Sequence, residues 1–185
     1  MKTLFQIAAE LQGFFEKENW KFCFIGGISL QRWGEPRVTI DVDVTLLTGF
    51  GTEKEFINSL LAAYPSRIPD AAAFAEENRV LLLKSASGVA IDIALAALPF
   101  EEEACSRATR FEFLPGVNLL TCSAEDLVIM KAFANRPRDW SDIKGVITRQ
   151  QGKLDKAYIL ERLTPLAEIK SAPEILQNLK DLFRA

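Results

Sequence analysis

The sequence predicts an α+β fold: a small mixed, mostly antiparallel sheet flanked by helices, followed by a C-terminal helical cluster. Three observations point there. Short apolar or alternating runs near residues 21–25, 38–47, 79–94 and 111–120 are interleaved with helical patterns. After about residue 122 only helical periodicity remains. Half the residues are apolar and a quarter charged over 185 positions, enough to build a sizeable core. The alternation of strand and helix, taken alone, would also fit an α/β domain.

Each element follows from its own pattern. Leu4, Ile7, Ala8, Leu11, Phe14 and Phe15 recur at helical spacing, which predicts a helix over 3–18. A short apolar strand is expected at 21–25 and a brief helix at 27–33, stopped by Gly34 and Pro36. Residues 38–47 alternate as a strand. Helices are expected at 52–63 and 71–77, separated by a loop that contains Pro65 and Pro69. Residues 79–85 and 89–94 read as a hairpin turning at Ser87-Gly88. A helix over 99–107 and a strand pair around Pro115-Gly116 follow. The remaining helices are placed at about 123–134, 139–149, 153–163 and 172–183. Ser123, with Glu125 and Asp126 behind it, is a good helix start. The expected organisation is a core over 1–121 and a helical part over 122–185 packed on it as one compact domain.

Composition removes whole classes of chemistry. There is no histidine, so no Ser-His-Asp triad, no Cys-His pair and no imidazole base can be assembled. Cys23, Cys105 and Cys122 are scattered and read as packed thiols rather than a zinc site. A net charge of −3 argues against broad nucleic-acid binding. A local excess of Lys and Arg between Lys131 and Lys156 reads equally as a basic face or a solvated helix surface. No run reaches the ~18 apolar residues of a membrane span. The N-terminal segment soon meets Glu10, Glu16 and Glu18, unlike a signal peptide, so the expected location is cytoplasmic.

The chemistry concentrates between Ile25 and Val44. Gly26-Gly27 follows an apolar strand and opens a helix, a place where backbone N–H groups can hold phosphate and Ser29 can add a hydroxyl. Alternate residues of a strand share a face, so Arg37, Thr39, Asp41 and Asp43 fall together, with Val38, Ile40, Val42 and Val44 opposite. The Asp41 and Asp43 Cα atoms would stand about 6.6 Å apart. Two like charges at that spacing suit a divalent cation, and Mg²⁺ prefers one or two carboxylates plus phosphate oxygens. Asp92, between Ile91 and Ile93, repeats the pattern on a later strand and would complete a two-metal site. Exposed aspartates on an edge strand are the alternative.

These residues resemble the nucleotidyltransferase superfamily with the polymerase-beta-like fold. The likeness rests on Ile25-Gly26-Gly27, Asp41-x-Asp43 and Asp92. Arg37-x-Thr39-x-Asp41-x-Asp43 is similar to the abortive-infection (AbiEii-type) toxin group. Residues 125–134, with Lys131, and Arg136-Pro137-Arg138-Asp139-Trp140-Ser141-Asp142 resemble that group's lysine helix and following Arg-Asp-x-x-Asp pattern. Gly-Gly stands where Gly-Ser is more frequent.

The resemblance implies metal-dependent transfer of a nucleoside monophosphate from a nucleoside triphosphate to a hydroxyl of RNA, protein or a small molecule. Asp41, Asp43 and Asp92 would hold Mg²⁺, as one or two ions, with Mn²⁺ able to substitute. Asp92 would alternatively take the acceptor proton. Gly26, Gly27 and Ser29 would hold the triphosphate, Lys131 would stand near phosphate, Arg37 and Thr39 near the nucleotide, and Asp139 or Asp142 near the nucleotide or Lys131. Two other readings stay open: a toxin paired with an antitoxin protein, and a non-catalytic nucleotide-binding scaffold. A homodimer through the C-terminal helices is a further expectation, and Trp140 reads as core.

Overall fold

A computed structural model describes residues 2–184. The described chain forms two compact units, one from the residues up to Ile28 together with Val38–Cys122, the other from Ser29–Arg37 together with the residues from Ser123 on.

The first unit holds a six-stranded mixed sheet in the order β3-β4-β2-β1-β6-β5. Its strands are β1 (Phe22–Phe24), β2 (Asp41–Leu47), β3 (Val80–Lys84), β4 (Ala90–Ala96), β5 (Thr109–Leu114) and β6 (Val117–Thr121). Three neighbouring pairs are antiparallel, and β2–β4 and β1–β6 are parallel. The helices α1 (Leu4–Lys17), α3 (Glu53–Ala63) and α4 (Ala71–Asn78) send Ile7, Leu11, Phe15, Ile57, Leu60 and Ala75 into one apolar cluster with Phe22, Phe24, Val42, Val44, Leu83, Ile91 and Ile93. Taking the apolar surface of these side chains out of water stabilises the fold by roughly 25 cal/mol per Å². Helix α1 begins where its sequence says it should. Thr3 Oγ1 accepts from the Gln6 N–H at 3.3 Å, and the Gln6 side chain accepts from the Thr3 N–H at 2.9 Å. Helix α5 (Pro99–Arg107) packs against β1 and β2, where Cys105 Sγ lies 4.0 Å from Cys23 Sγ; all three cysteines are free thiols.

Strand β2 starts later than its alternation predicts. Val38 and Ile40 are 81% and 76% exposed, and pairing with β4 begins only at Asp41↔Ala90. The hairpin between β3 and β4 turns just before Ala90, so the ladder between β2 and β4 reaches back only to Asp41. Arg37 and Thr39 therefore lie on irregular chain rather than on the strand.

Helix α2 (Gly26–Trp33) crosses the division between the two units. The second unit continues with α6 (Ala124–Ala134), α7 (Pro137–Gln150), α8 (Lys156–Ile169) and α9 (Glu174–Arg184). Ser123 caps α6, accepting from the Asp126 N–H at 3.0 Å. Apolar residues run around most of α6, and it packs against α7, α8 and α9. Helix α7 starts at Pro137, earlier than expected, because proline is suited to a first helical position. Helix α8 runs through Pro165 to Ile169 rather than stopping at 163.

Candidate active site

The glycine turn and β2 form one piece of geometry. Ile25 N–H donates to the Asp43 carbonyl at 3.0 Å, and the chain then turns at Gly26 with φ of +53°. A Cβ on Gly26 would lie 2.0 Å from Asp43 Oδ2, and one on Gly27 would lie 2.1 Å from Thr39 Oγ1. Both positions thus need glycine for space, and Gly26 needs it for conformation as well. The Gly27 N–H donates to Asp43 Oδ2 at 3.4 Å, and Thr39 Oγ1 donates to Asp41 Oδ1 at 3.0 Å. Each carboxylate of the Asp41-x-Asp43 pair is therefore oriented by a polar group that precedes β2 in the chain.

Alternation along β2 works as the sequence implies from Asp41 onward. Val42 and Val44 are buried in the apolar cluster, while Asp41 and Asp43 are half-buried on the opposite face. Parallel pairing sets Asp43 directly beside Asp92 of β4, between the buried Ile91 and Ile93. The three aspartates that the sequence singled out thus share one face of two adjacent strands.

Asp92 carries a partner that no motif announces. Its Oδ1 accepts from Arg67 Nη2, in an ion pair whose side chains are each about one-third exposed. Arg67 N–H donates to the Leu82 carbonyl at 3.0 Å, and Leu82 pairs with Asp92, so Arg67, Leu82, Asp92 and Asp43 form one row across the sheet. Burial pushes the Asp92 carboxyl up from the ordinary aspartate range; Arg67 pulls it down, Asp41 adds to the rise, and the net direction is upward. Carboxylate oxygens are the donor type that Mg²⁺ takes, and Asp41 and Asp43 suit it. Among the described residues, however, no three acidic or thiol side chains converge closely enough to hold an ion.

Ser29 sits in α2 with 0% exposure, so its hydroxyl is not presented to solvent.

The remaining motif residues assemble inside the second unit. Asn135 ends α6 in the left-handed conformation, Pro137 starts α7, and this tight corner faces Lys131 toward Asp139 and Asp142. Lys131 is 5% exposed and donates to Asp142 Oδ2 at 2.6 Å and Asp139 Oδ1 at 3.3 Å. Arg37 grips Asp142 with a fork, Nε and Nη2 each donating at 3.0 Å. Arg136 Nε donates to Asp139 Oδ2 at 2.6 Å. Burial raises the Asp142 carboxyl, but the hydrogen bonds and charges of Arg37 and Lys131 outweigh it and hold the group below the usual aspartate range.

This network uses up part of the basic excess seen in the sequence. Lys131 is internal, Arg136 is paired, and Arg149 donates to the Gly34 carbonyl at 2.5 Å. Trp140 is half-buried, with its indole N–H donating to Asn135 Oδ1 at 2.8 Å, and is not the core residue its periodicity suggests. Asp126, expected only as part of a helix start, is a buried carboxylate. It accepts from Ser123 Oγ at 2.6 Å and from the Tyr158 hydroxyl at 2.9 Å.

Residues 2–173 match a family described as a nucleotidyltransferase of unknown function (DUF6036). No curated protein matches the chain in sequence. Among solved structures, it is similar to an antigenic nucleotidyltransferase-like protein from Paracoccidioides brasiliensis, at 16% identity and a TM-score of 0.54, over 96% of this chain and 92% of the other. It is also similar to the antibiotic-resistance factor ANT(2'')-Ia, at 14% identity and a TM-score of 0.52, over 97% and 89% of the two chains. At such identities these likenesses concern the fold.

Proposed function

The chain belongs to this family of nucleotidyltransferases, and from that premise we propose that it moves a nucleoside monophosphate from a nucleoside triphosphate to a hydroxyl acceptor. The observation that carries the reading is the pairing of Asp41 and Asp43 with the Gly26-Gly27 turn: two oriented carboxylates on one strand face beside a backbone N–H at a helix start. Asp41 and Asp43 would hold Mg²⁺, which when bound supplies positive charge to the phosphate oxygens. In the transfer the acceptor oxygen bonds to the α-phosphorus, the bond from that phosphorus to the β-phosphate oxygen breaks, and pyrophosphate leaves. A carboxylate oxygen of Asp92 is the group proposed to take the acceptor proton, and its half-buried position and upward direction support that role.

Within the second unit Arg37 is a guanidinium held in place by Asp142. Lys131 fixes Asp142, and Asp142 fixes Arg37, so Lys131 acts as a positioning residue. Direct contact of Lys131 with phosphate would require its ammonium to leave two carboxylates. The narrower likeness to abortive-infection toxins rests on the sequence patterns alone.

The test is incubation with nucleoside triphosphates labelled at the α-phosphate, Mg²⁺, and RNA, protein and small-hydroxyl acceptors. Labelled acceptor and released pyrophosphate are expected from the wild type and not from Asp43→Asn. Absence of transfer to every acceptor, together with no nucleotide binding, contradicts the proposal.

A further inference from the structure

The row Arg67, Leu82, Asp92, Asp43 places a guanidinium where the third carboxylate of a metal site would meet its cation. Arg67 is not there by accident of a loose loop. Ser66 bridges to Leu83, Arg67 N–H bonds the Leu82 carbonyl, and Lys84 N–H bonds the Pro65 carbonyl at 2.9 Å, so residues 65–67 lie along the outer edge of β3. That backbone anchoring directs the side chain over β3 to β4. Asp92 is flanked by Asp43 in the strand register and lies within electrostatic range of Asp41. Three like charges on adjacent strands need compensation, and Arg67 supplies one unit of it.

We propose that Arg67 is the resident counter-ion of Asp92 and excludes a second divalent ion from that carboxylate, so that the nucleotide-free protein takes one ion, at Asp41 and Asp43. This rests on the metal-binding reading above and adds a positioning residue to it. Arg67 fixes the Asp92 carboxylate by its ion pair, and a second ion at Asp92 requires that pair to open. The failure of the three carboxylates to converge, among the described residues, is consistent with one of them being held elsewhere.

The test uses Mn²⁺ alone, without nucleotide, and counts bound ions per chain by equilibrium dialysis with electron paramagnetic resonance of the free ion. Wild type and Arg67→Lys are expected to bind one ion, Arg67→Gln two, and the Arg67→Gln, Asp92→Asn double variant one again. Two ions in the wild type, or the same count in wild type and Arg67→Gln, overturns the role of Arg67 while leaving metal binding intact. No binding in any variant overturns the metal reading itself and this inference with it. Circular dichroism of each variant separates loss of fold from loss of a site.

Discussion

A methyl group on Gly26 would stand 2.0 Å from the Oδ2 of Asp43. The turn and the strand are thus fitted to each other atom by atom, and the fit is what orients the carboxylate toward the Gly27 N–H. Gly26→Ala should therefore do two things: strain a left-handed backbone, at about 1 kcal/mol, and displace Asp43. Gly88→Ala provides the comparison, since Gly88 has φ of +87° with nothing within 4 Å of its Cβ position. Both variants should lose stability in chemical denaturation. Only Gly26→Ala should also lose Mg²⁺-dependent nucleotide binding.

Thr39→Val keeps shape and removes the hydroxyl that donates to Asp41. A group that orients a metal-binding carboxylate is typically worth about 10-fold or more in metal affinity. Mn²⁺ titration should show a weaker first site of about that size, with thermal stability little changed. Unaltered affinity would remove Thr39 from the site.

Asp142 links stability to acid pH. Its folded pKa lies below the ordinary aspartate value, so its contribution is present above that value and lost as pH falls through the folded pKa. Asp142→Asn leaves the buried Lys131 and the Arg37 fork short of a charge partner, a change that typically costs about 3 kcal/mol. Denaturant melts from pH 7 down to pH 3 should show a wild-type advantage at neutral pH that shrinks with acid. An advantage independent of pH would place the effect in packing instead.

Tyr158→Phe removes the hydroxyl that donates to the buried Asp126 carboxylate. Loss of a hydrogen bond to a charged group is worth about 1.5–3 kcal/mol, which should appear as a lower denaturation midpoint with an unchanged slope.

The sequence made the alternation around Asp41 and Asp43 readable because a strand's two faces differ in burial, and Val42 and Val44 declare theirs. It misplaced the strand's start because Val38 and Ile40 have the right residue types, whereas the point where the ladder with β4 ends is a property of the sheet. The start of α6, with Ser123 and Asp126, was legible because its chemistry is local, and the same local bond stabilises it. Arg67 was not. It sits 25 positions from Asp92 in a proline-containing loop, and only the pairing of β3 with β4 brings the two together. Lys131 was legible as a motif residue but not as a buried one, because a lysine in a helix reads alike whether it faces solvent or two carboxylates.

Asp43 and the glycine turn are proposed to bind a metal-complexed nucleoside triphosphate. Thermal unfolding with and without saturating Mg²⁺ and nucleoside triphosphate tests it directly, since a ligand at 100 times its Kd stabilises the folded state by about 2.7 kcal/mol. A clear rise in midpoint is expected for the wild type and none for Asp43→Asn. No rise in the wild type with any triphosphate, or an equal rise in both proteins, would contradict it.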